Sequence, residues 1–417
     1  MKYDVVVIGM GLSGLVAALA AASAGRECLV VAKGCSGHYH SGIIDLGTGD
    51  PLVDNNGPVI PGQPVHPYRL AGAMAVQGGL ELFCRAVRES GYPYTRVDRG
   101  SCLLLTAMGT LRQGDVVPFT MENGNLLSGA RLLVVGFEGY GDFFPGYVAG
   151  NVNRRLNLLG LGGTAKGVMV RVAGTDLSGC NAYDLATHFE RDEFCRSVAR
   201  EVSIKVKGFD AVGFPAVLGS RQAGEVLGEL QELLGVPVFE IPTFLPSVPG
   251  MRLFNALKDY LTGHGVKFMT GFGVISAQTR NQRCEAVWLD TPGRPGRVSA
   301  DTYILATGGI VGGGLEVTPE IIREPLFGLP VAQPPAYRRT VEQWLAGQPY
   351  ARSGLMVNEL LQPVDEEGRV CLENVHVTGR NLGGYDPFAD RCGSGVAIAT
   401  GYLAGSLAGG GASHAGT

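Results

Sequence analysis

The 417-residue sequence predicts an α/β fold in which one parallel-sheet domain is split between the chain ends, residues 1–80 and 249–417, around an inserted smaller mixed α/β cap domain, residues 81–248. Three observations predict it. The chain opens with a strand, a glycine-rich turn, a helix and a second strand. Two further glycine-rich segments in the last third read as strand ends returning to the same sheet. The material between them carries neither pattern.

Val5 to Ile8 is a continuous β-branched run, as in a strand buried on both faces. Gly9 to Gly14 then read GMGLSG, followed by the small-residue helix LVAALAAASAG and the strand Glu27 to Val31. This is G-x-G-x-x-G in its full strand–turn–helix–strand setting, within the span of about thirty residues that a dinucleotide-binding unit needs. Gly9 is expected to make the tight turn, Gly11 to let a pyrophosphate approach, and Gly14 to let helix and strand pack. The helix N-terminus, with Leu12 and Ser13, offers unpaired N–H groups and a partial positive charge. The domain therefore reads as Rossmann-like and FAD/NAD(P)-binding. One feature departs from the pattern: where an acid usually closes the second strand and binds a ribose, the chain reads Ala32-Lys33-Gly34. Lys33 suits a phosphate, or equally a solvated strand end.

The second segment, Asp301 to Leu315, ends a strand in Ala306-Thr307-Gly308-Gly309. The third, Asn374 to Gly405, runs a short strand, Val375 to Thr378, into Gly379 and then a small-residue helix starting near Gly393-Ser394-Gly395-Val396. A helix N-terminus aimed at a flavin ring stabilises negative charge on its reduced pyrimidine side. Together the three segments look like a two-dinucleotide-binding-domain flavoprotein with a non-covalent flavin, FAD or FMN. Arg380 stands where such proteins usually carry an acid, so both acidic anchors of an extended FAD are replaced. An arginine pairs naturally with phosphate, which predicts altered cofactor binding.

Composition sets the outer limits. Apolar residues make up 45% and charged residues 17%, which describes a globular chain. Its 64 glycines are about twice the usual share and suit backbone lying against a flat or phosphorylated ligand. A formal charge of −4 argues against a nucleic-acid binder. No apolar run is long enough to span a membrane, and Leu15 to Ala24 reads as a buried helix. The N-terminus shows no signal-peptide pattern, so a cytoplasmic location is expected. The nine cysteines are scattered without C-x-x-C spacing; reduced thiols are expected, with no metal or iron–sulfur site. No internal repeat is visible, and Gly409 to Thr417 is expected to fray.

In the middle, a helix is expected over Met251 to Tyr260, then strands up to Ile304 separated by turns at Thr291-Pro292-Gly293 and Arg294-Pro295-Gly296. A flavin-dependent oxidation needs a base for the substrate proton, a cation for any anionic substrate and the reacting carbon near the flavin. His38 and His40 lie in a Gly/Ser-rich segment placed to cover a flavin, with Ser41 and Gly42 as further cofactor contacts; hydrogen-bonded loop histidines are the plainer reading. Arg252, after two prolines, is the candidate anion binder, against a helix-start ion pair. Asp45 reads as a cap or turn, Arg154 and Arg155 as a solvated face, and Lys205 and Lys207 as alternating on a strand.

The chain resembles the B-subunit family of anaerobic glycerol-3-phosphate dehydrogenase. The resemblance runs from the first glycine motif to the last helix. It includes CSGHYHSGIIDL (Cys35 to Leu46), GYGDFFPGYVAGNVN (Gly139 to Asn153), FPAVLG (Phe214 to Gly219), EIPTFLPSVPGMRL (Glu240 to Leu253), EPLFGLPV (Glu324 to Val331) and LGGYDP (Leu382 to Pro387). It implies a flavin-containing partner of a homologous catalytic flavoprotein subunit. Together the two oxidise sn-glycerol 3-phosphate to dihydroxyacetone phosphate and pass electrons to an iron–sulfur subunit and menaquinone, peripherally at the inner face of the cell membrane. Two alternatives stay open: a stand-alone flavin oxidoreductase of a small hydroxy or unsaturated acid, and a catalytically silent scaffold that kept the fold.

Overall fold

The computed structural model describes residues 2–47, 63–97, 102–126, 129–343 and 346–410. The tail from 411 onward, the end of the segment expected to fray, lies outside them. In chain order the principal elements are β1 Lys2–Ile8, α1 Leu12–Ser23, β2 Cys28–Ala32, α2 Pro67–Glu89, β3 Arg131–Phe137, α3 Pro145–Leu158, β4 Thr164–Val170, α4 Ala182–Phe189, α5 Asp192–Ser203, β5 Ala211–Pro215, α6 Ala223–Leu234, β6 Val238–Ile241 and α7 Val248–Gly263. They continue with β7 Lys267–Thr270, β8 Val274–Arg280, β9 Arg283–Leu289, β10 Gly296–Leu305, β11 Val375–Val377 and α8 Gly393–Ala408. They form two compact units, one of residues 1–36, 45–86 and 257–417, the other of 37–44 and 87–256.

The first unit holds a seven-stranded sheet in the order β7-β2-β1-β10-β9-β8, with β11 also paired to β10. Strand β10 serves two purposes. Its first residues pair antiparallel with β9, and Ser299 to Leu305 run parallel to β1. The parallel pairs β1–β2, β1–β10 and β10–β11 bring the three glycine-rich turns together at the carboxyl ends of adjacent strands. Against this sheet α1 and α8 cross through small side chains. A Cβ on Gly401 would collide with the Ser13 carbonyl, and one on Gly405 with that of Ala17. The Ala/Gly-rich faces of both helices are there because backbone lies against backbone.

The second unit is more regular than its sequence suggests. Four parallel strands in the order β6-β5-β3-β4 carry helices between them, and the same unit holds two short antiparallel pairs, Leu103–Leu105 with Leu111–Gln113 and, enclosing it in sequence, Tyr94–Arg96 with Val116–Pro118. Strand β3 reads RLLVVGF and is buried along nearly its whole length, as a central parallel strand requires. Gly136 and Gly167 admit Pro145 at the start of α3. Lys205 and Lys207 are not on a strand: they follow α5 in a turn, where Lys205 Nζ donates to the Glu201 carbonyl. Arg154 and Arg155 are exposed on α3.

Candidate functional site

In the GMGLSG turn each glycine has a separate task. Gly9 has φ +114°, and its N–H donates to the Val31 carbonyl at 2.8 Å; a Cβ there would collide with the Ala306 carbonyl. Gly14 packs on the Gly9 carbonyl and the Ala306 side chain. Gly11 is different. An added Cβ would meet only Ser36 Oγ, at 4.0 Å, so nothing in the fold demands glycine. The space it leaves, in front of an α1 N-terminus with no acidic residue in its first turn, fits a phosphate group. Leu12 and Ser13 are buried in that turn. Strand β2 ends at Ala32. The Lys33 side chain lies over Gly273, which has no Cβ to obstruct it, and Gly34 is exposed.

The two later segments meet this turn. Ala306 N–H donates to the Ile8 carbonyl at 2.8 Å, and Gly308 and Gly309 both adopt positive φ. Asn381 joins the segments: its Oδ1 accepts from Gly309 N–H at 2.8 Å, and its Nδ2 donates to the Leu305 carbonyl and to Thr307 Oγ1, each at 3.1 Å. Asn381 was not expected here; its only signal in the sequence is a polar residue directly after Gly379-Arg380. Gly379, at φ +62°, lies against Ser13 and donates to Thr400 Oγ1 at 3.0 Å. From there the Arg380 side chain reaches back. Nη2 donates to the Ala351 carbonyl at 2.7 Å, and the guanidinium carbon lies 5.4 Å from the Tyr385 ring centre. Its Nη1 is buried without a hydrogen-bond partner among the described residues, as is Thr378 Oγ1. An open glycine at a helix N-terminus, and an orphaned guanidinium nitrogen on the residue after the glycine that packs on that helix, suit a phosphate-bearing cofactor.

At the start of α8, Gly395 N–H donates to the Asp45 carbonyl at 3.0 Å, and the missing Cβ admits the Tyr68 hydroxyl. Gly393 lies against Pro387, Ser394 follows in the first turn, and Val396 N–H closes on the Cys392 carbonyl. Next to this turn, ligand atoms of His66, Asp390 and Cys392 fall within 4.8 Å of one another, a grouping the scattered cysteines did not suggest. Its bonding suits a hydrogen-bonded pair better than a metal. Tyr68 N–H donates to His66 Nδ1, which puts the neutral ring's proton on Nε2, 4.0 Å from Cys392 Sγ. Asp390 is already committed to Arg352 and to the Asp386 N–H. Burial raises the Cys392 thiol to about 12, so it stays protonated at neutral pH. A cavity of about 1700 Å³ in the same unit is lined by Pro64, Arg323, Glu324, Gln333, Arg352 and Gly384. Arg323 and Arg352 there are paired with Glu316 and Asp390.

The middle-chain candidates need correction. His38, His40, Ser41 and Gly42, expected with the flavin domain, belong to the second unit. Gly250 lies against the carbonyls of Gly37 and His40, Gly42 against Pro249, and Ser247 N–H donates to the His38 carbonyl at 2.9 Å. His40 Nδ1 accepts from Gly42 N–H at 3.0 Å, while burial and the Arg112 charge lower its pKa to about 4. The ring is neutral, its Nδ1 lone pair is engaged and Nε2 holds the proton, a poor arrangement for a base. Ser41 Oγ accepts from Arg112 and from Ile43 N–H. Arg252 is a structural ion pair. Nη1 and Nη2 bind Glu240 at 2.6 and 2.9 Å, and Nε donates to the Gly219 carbonyl at 2.7 Å, with both side chains almost wholly buried. Nor is the N-terminus of α6 open to an anion, because Glu190 Oε1 accepts from the N–H groups of Ser220, Arg221 and Gln222.

Comparison with known proteins agrees with the glycine segments. Residues 4–396 match the FAD binding domain family. A Halobacterium salinarum protein, described as the probable B-subunit of anaerobic glycerol-3-phosphate dehydrogenase, is 33% identical, covering 98% of each chain. The chain belongs to the B-subunit family of anaerobic glycerol-3-phosphate dehydrogenase. The Vibrio cholerae B-subunit is 29% identical over 97% of this chain and 96% of its own. Among solved structures, 3-ketosteroid delta1-dehydrogenase from Sterolibacterium denitrificans covers 99% of this chain and 100% of its own at 10% identity and a TM-score of 0.41, too distant to carry an argument. As a member of the B-subunit family the chain is an FAD-binding oxidoreductase component. Among the described residues no helix is long and apolar enough to cross a membrane.

Proposed function

We propose that this chain is the flavin-carrying relay subunit of a complex that oxidises sn-glycerol 3-phosphate to dihydroxyacetone phosphate. A homologous flavoprotein subunit holds the substrate. Electrons pass on to an iron–sulfur subunit and menaquinone, with the assembly peripheral to the inner face of the cell membrane. A bound flavin supplies two-electron chemistry on one side and single-electron transfer on the other. The residues proposed to hold it are Gly9, Gly11 to Gly14, Lys33, Gly34, Ala306 to Gly309, Gly379, Arg380 and Gly393 to Val396.

One observation carries the choice of relay over independent catalysis. The three glycine-rich segments meet, while the two candidates for handling a phosphorylated alcohol, Arg252 and His40, are engaged within the chain. Arg252 is paired with Glu240 and bonded to the Gly219 carbonyl, and His40 is neutral with Nδ1 engaged. The test is an anaerobic titration with sn-glycerol 3-phosphate, following flavin absorbance in the isolated chain and in the whole complex, with released flavin counted per chain. Flavin that bleaches only in the complex is the expected result. Bleaching in the isolated chain would make it a self-sufficient dehydrogenase, and a flavin-free chain in an active complex would make it a scaffold.

A further inference from the structure

We infer that Arg380 holds the phosphate of the bound flavin, doing with a cation at the end of β11 what related folds do with an acid; this rests on flavin binding at the three glycine segments. Position is the first argument. Gly379 lies against Ser13 in the first turn of α1, so Arg380 leaves the backbone one residue from a contact with that turn, whose N–H groups suit a phosphate. The second is pre-organisation. The Ala351 carbonyl holds Nη2 and the Tyr385 ring lies 5.4 Å from the guanidinium carbon, which fixes the plane of the group without neutralising it. Third is the missing partner. Among the described residues no carboxylate forms an ion pair with Arg380, and Nη1 is buried with no acceptor. A guanidinium held in place with one buried nitrogen unsatisfied is built for an anion that arrives from outside the chain.

The adjoining cradle decides which anion. Gly11 leaves room at the N-terminus of the helix that Gly379 packs against, and neither Ala32 nor Lys33 offers a carboxylate to repel a phosphate. With the ribose-binding acid absent, affinity shifts from hydroxyl recognition towards phosphate recognition. The inference therefore concerns the phosphate itself and predicts a difference between flavins with and without one.

The experiment titrates the full-length chain, stripped of cofactor, with FAD, FMN and riboflavin, following flavin fluorescence in the wild type, Arg380→Gln and Arg380→Lys. Loss of one charge-assisted contact corresponds to about a tenfold to hundredfold weaker binding. That loss is expected for FAD and FMN in Arg380→Gln, with riboflavin unchanged and partial recovery in Arg380→Lys. Inorganic pyrophosphate competing with FAD gives a second reading, its inhibition constant rising by the same factor in Arg380→Gln. Equal losses for all three flavins, or unchanged constants for the phosphorylated ones, would overturn the inference. So would a variant that keeps its flavin affinities but loses thermal stabilisation by glycerol 3-phosphate, because the anion would then be the substrate's. A wild type that binds none of the flavins overturns the flavin reading itself, a result distinct from all of these.

Discussion

Replacing Arg252 with leucine separates a structural cation from a substrate-binding one. In the folded chain its guanidinium makes three short hydrogen bonds, two to Glu240 and one to the Gly219 carbonyl, and Glu240 Oε1 also accepts from Leu218 N–H at 2.7 Å. The two side chains are 3% and 0% exposed. Leucine would leave an ionised Glu240 and a carbonyl buried without their partner, a change that typically costs about 3–5 kcal/mol. For a unit of about 180 residues this lowers the unfolding midpoint by about 6–20 °C. Calorimetry of the wild type, Arg252→Leu, Glu240→Leu and the double variant measures it. The double variant should recover part of the loss, because removing both ions removes the uncompensated charge. The reasoning fails if Arg252→Leu unfolds within about 1 kcal/mol of the wild type, or if the double loss equals the sum of the singles. A stable Arg252→Leu whose complex shows only a raised KM for glycerol 3-phosphate would restore the anion-binding reading.

Gly9 and Gly11 should separate folding from binding. Gly9→Ala, at φ +114° and against the Ala306 carbonyl, is expected to lose about 2–6 kcal/mol of stability in a denaturant titration. Gly11→Ala should unfold within about 1 kcal/mol of the wild type yet retain less flavin after gel filtration, because its Cβ enters the space left for the phosphate. Burial lowers the pKa of His40, with help from the Arg112 charge, and of His66, against the opposing charge of Asp390, each to about 4 from about 6.5 when unfolded. The unfolded chain therefore binds more protons between these values. Stability should be complete above pH 6.5 and fall towards pH 4, each histidine adding a slope of up to about 1.4 kcal/mol per pH unit; His40→Gln should flatten the curve measured by urea unfolding. Burial pushes the Glu190 carboxyl up, but N–H bonds from Arg221, Gln222 and Ser220 hold it below its usual range. Glu190→Gln should lower the thermal midpoint of the second unit, with the deficit vanishing as acid protonates the wild-type carboxyl; an unchanged midpoint at neutral pH would count against its role at α6.

Much of the first unit could be read from the chain because its signals are local. The β-branched run of β1, the spacing of Gly9, Gly11 and Gly14, and the small faces of α1 and α8 each follow from what one strand, turn or helix needs. The sheet of the second unit was legible in principle, since β3 and β5 are continuous apolar runs, but it lacks a glycine motif and read only as mixed material. Sequence also exposed the exchange of acid for Ala32 and for Arg380. Tertiary structure alone decided what the charged and polar side chains do. Arg252 is a core ion pair because β6 brings Glu240 to it; the segment holding His38 and His40 joins the second unit because Gly250 lets it approach; Arg380 keeps an orphaned nitrogen because, among the described residues, the Ala351 carbonyl meets Nη2 and no acceptor meets Nη1. Backbone conformation follows from neighbours along the chain. The fate of a charge depends on burial and on partners far away in sequence, and those exist only once the chain has folded.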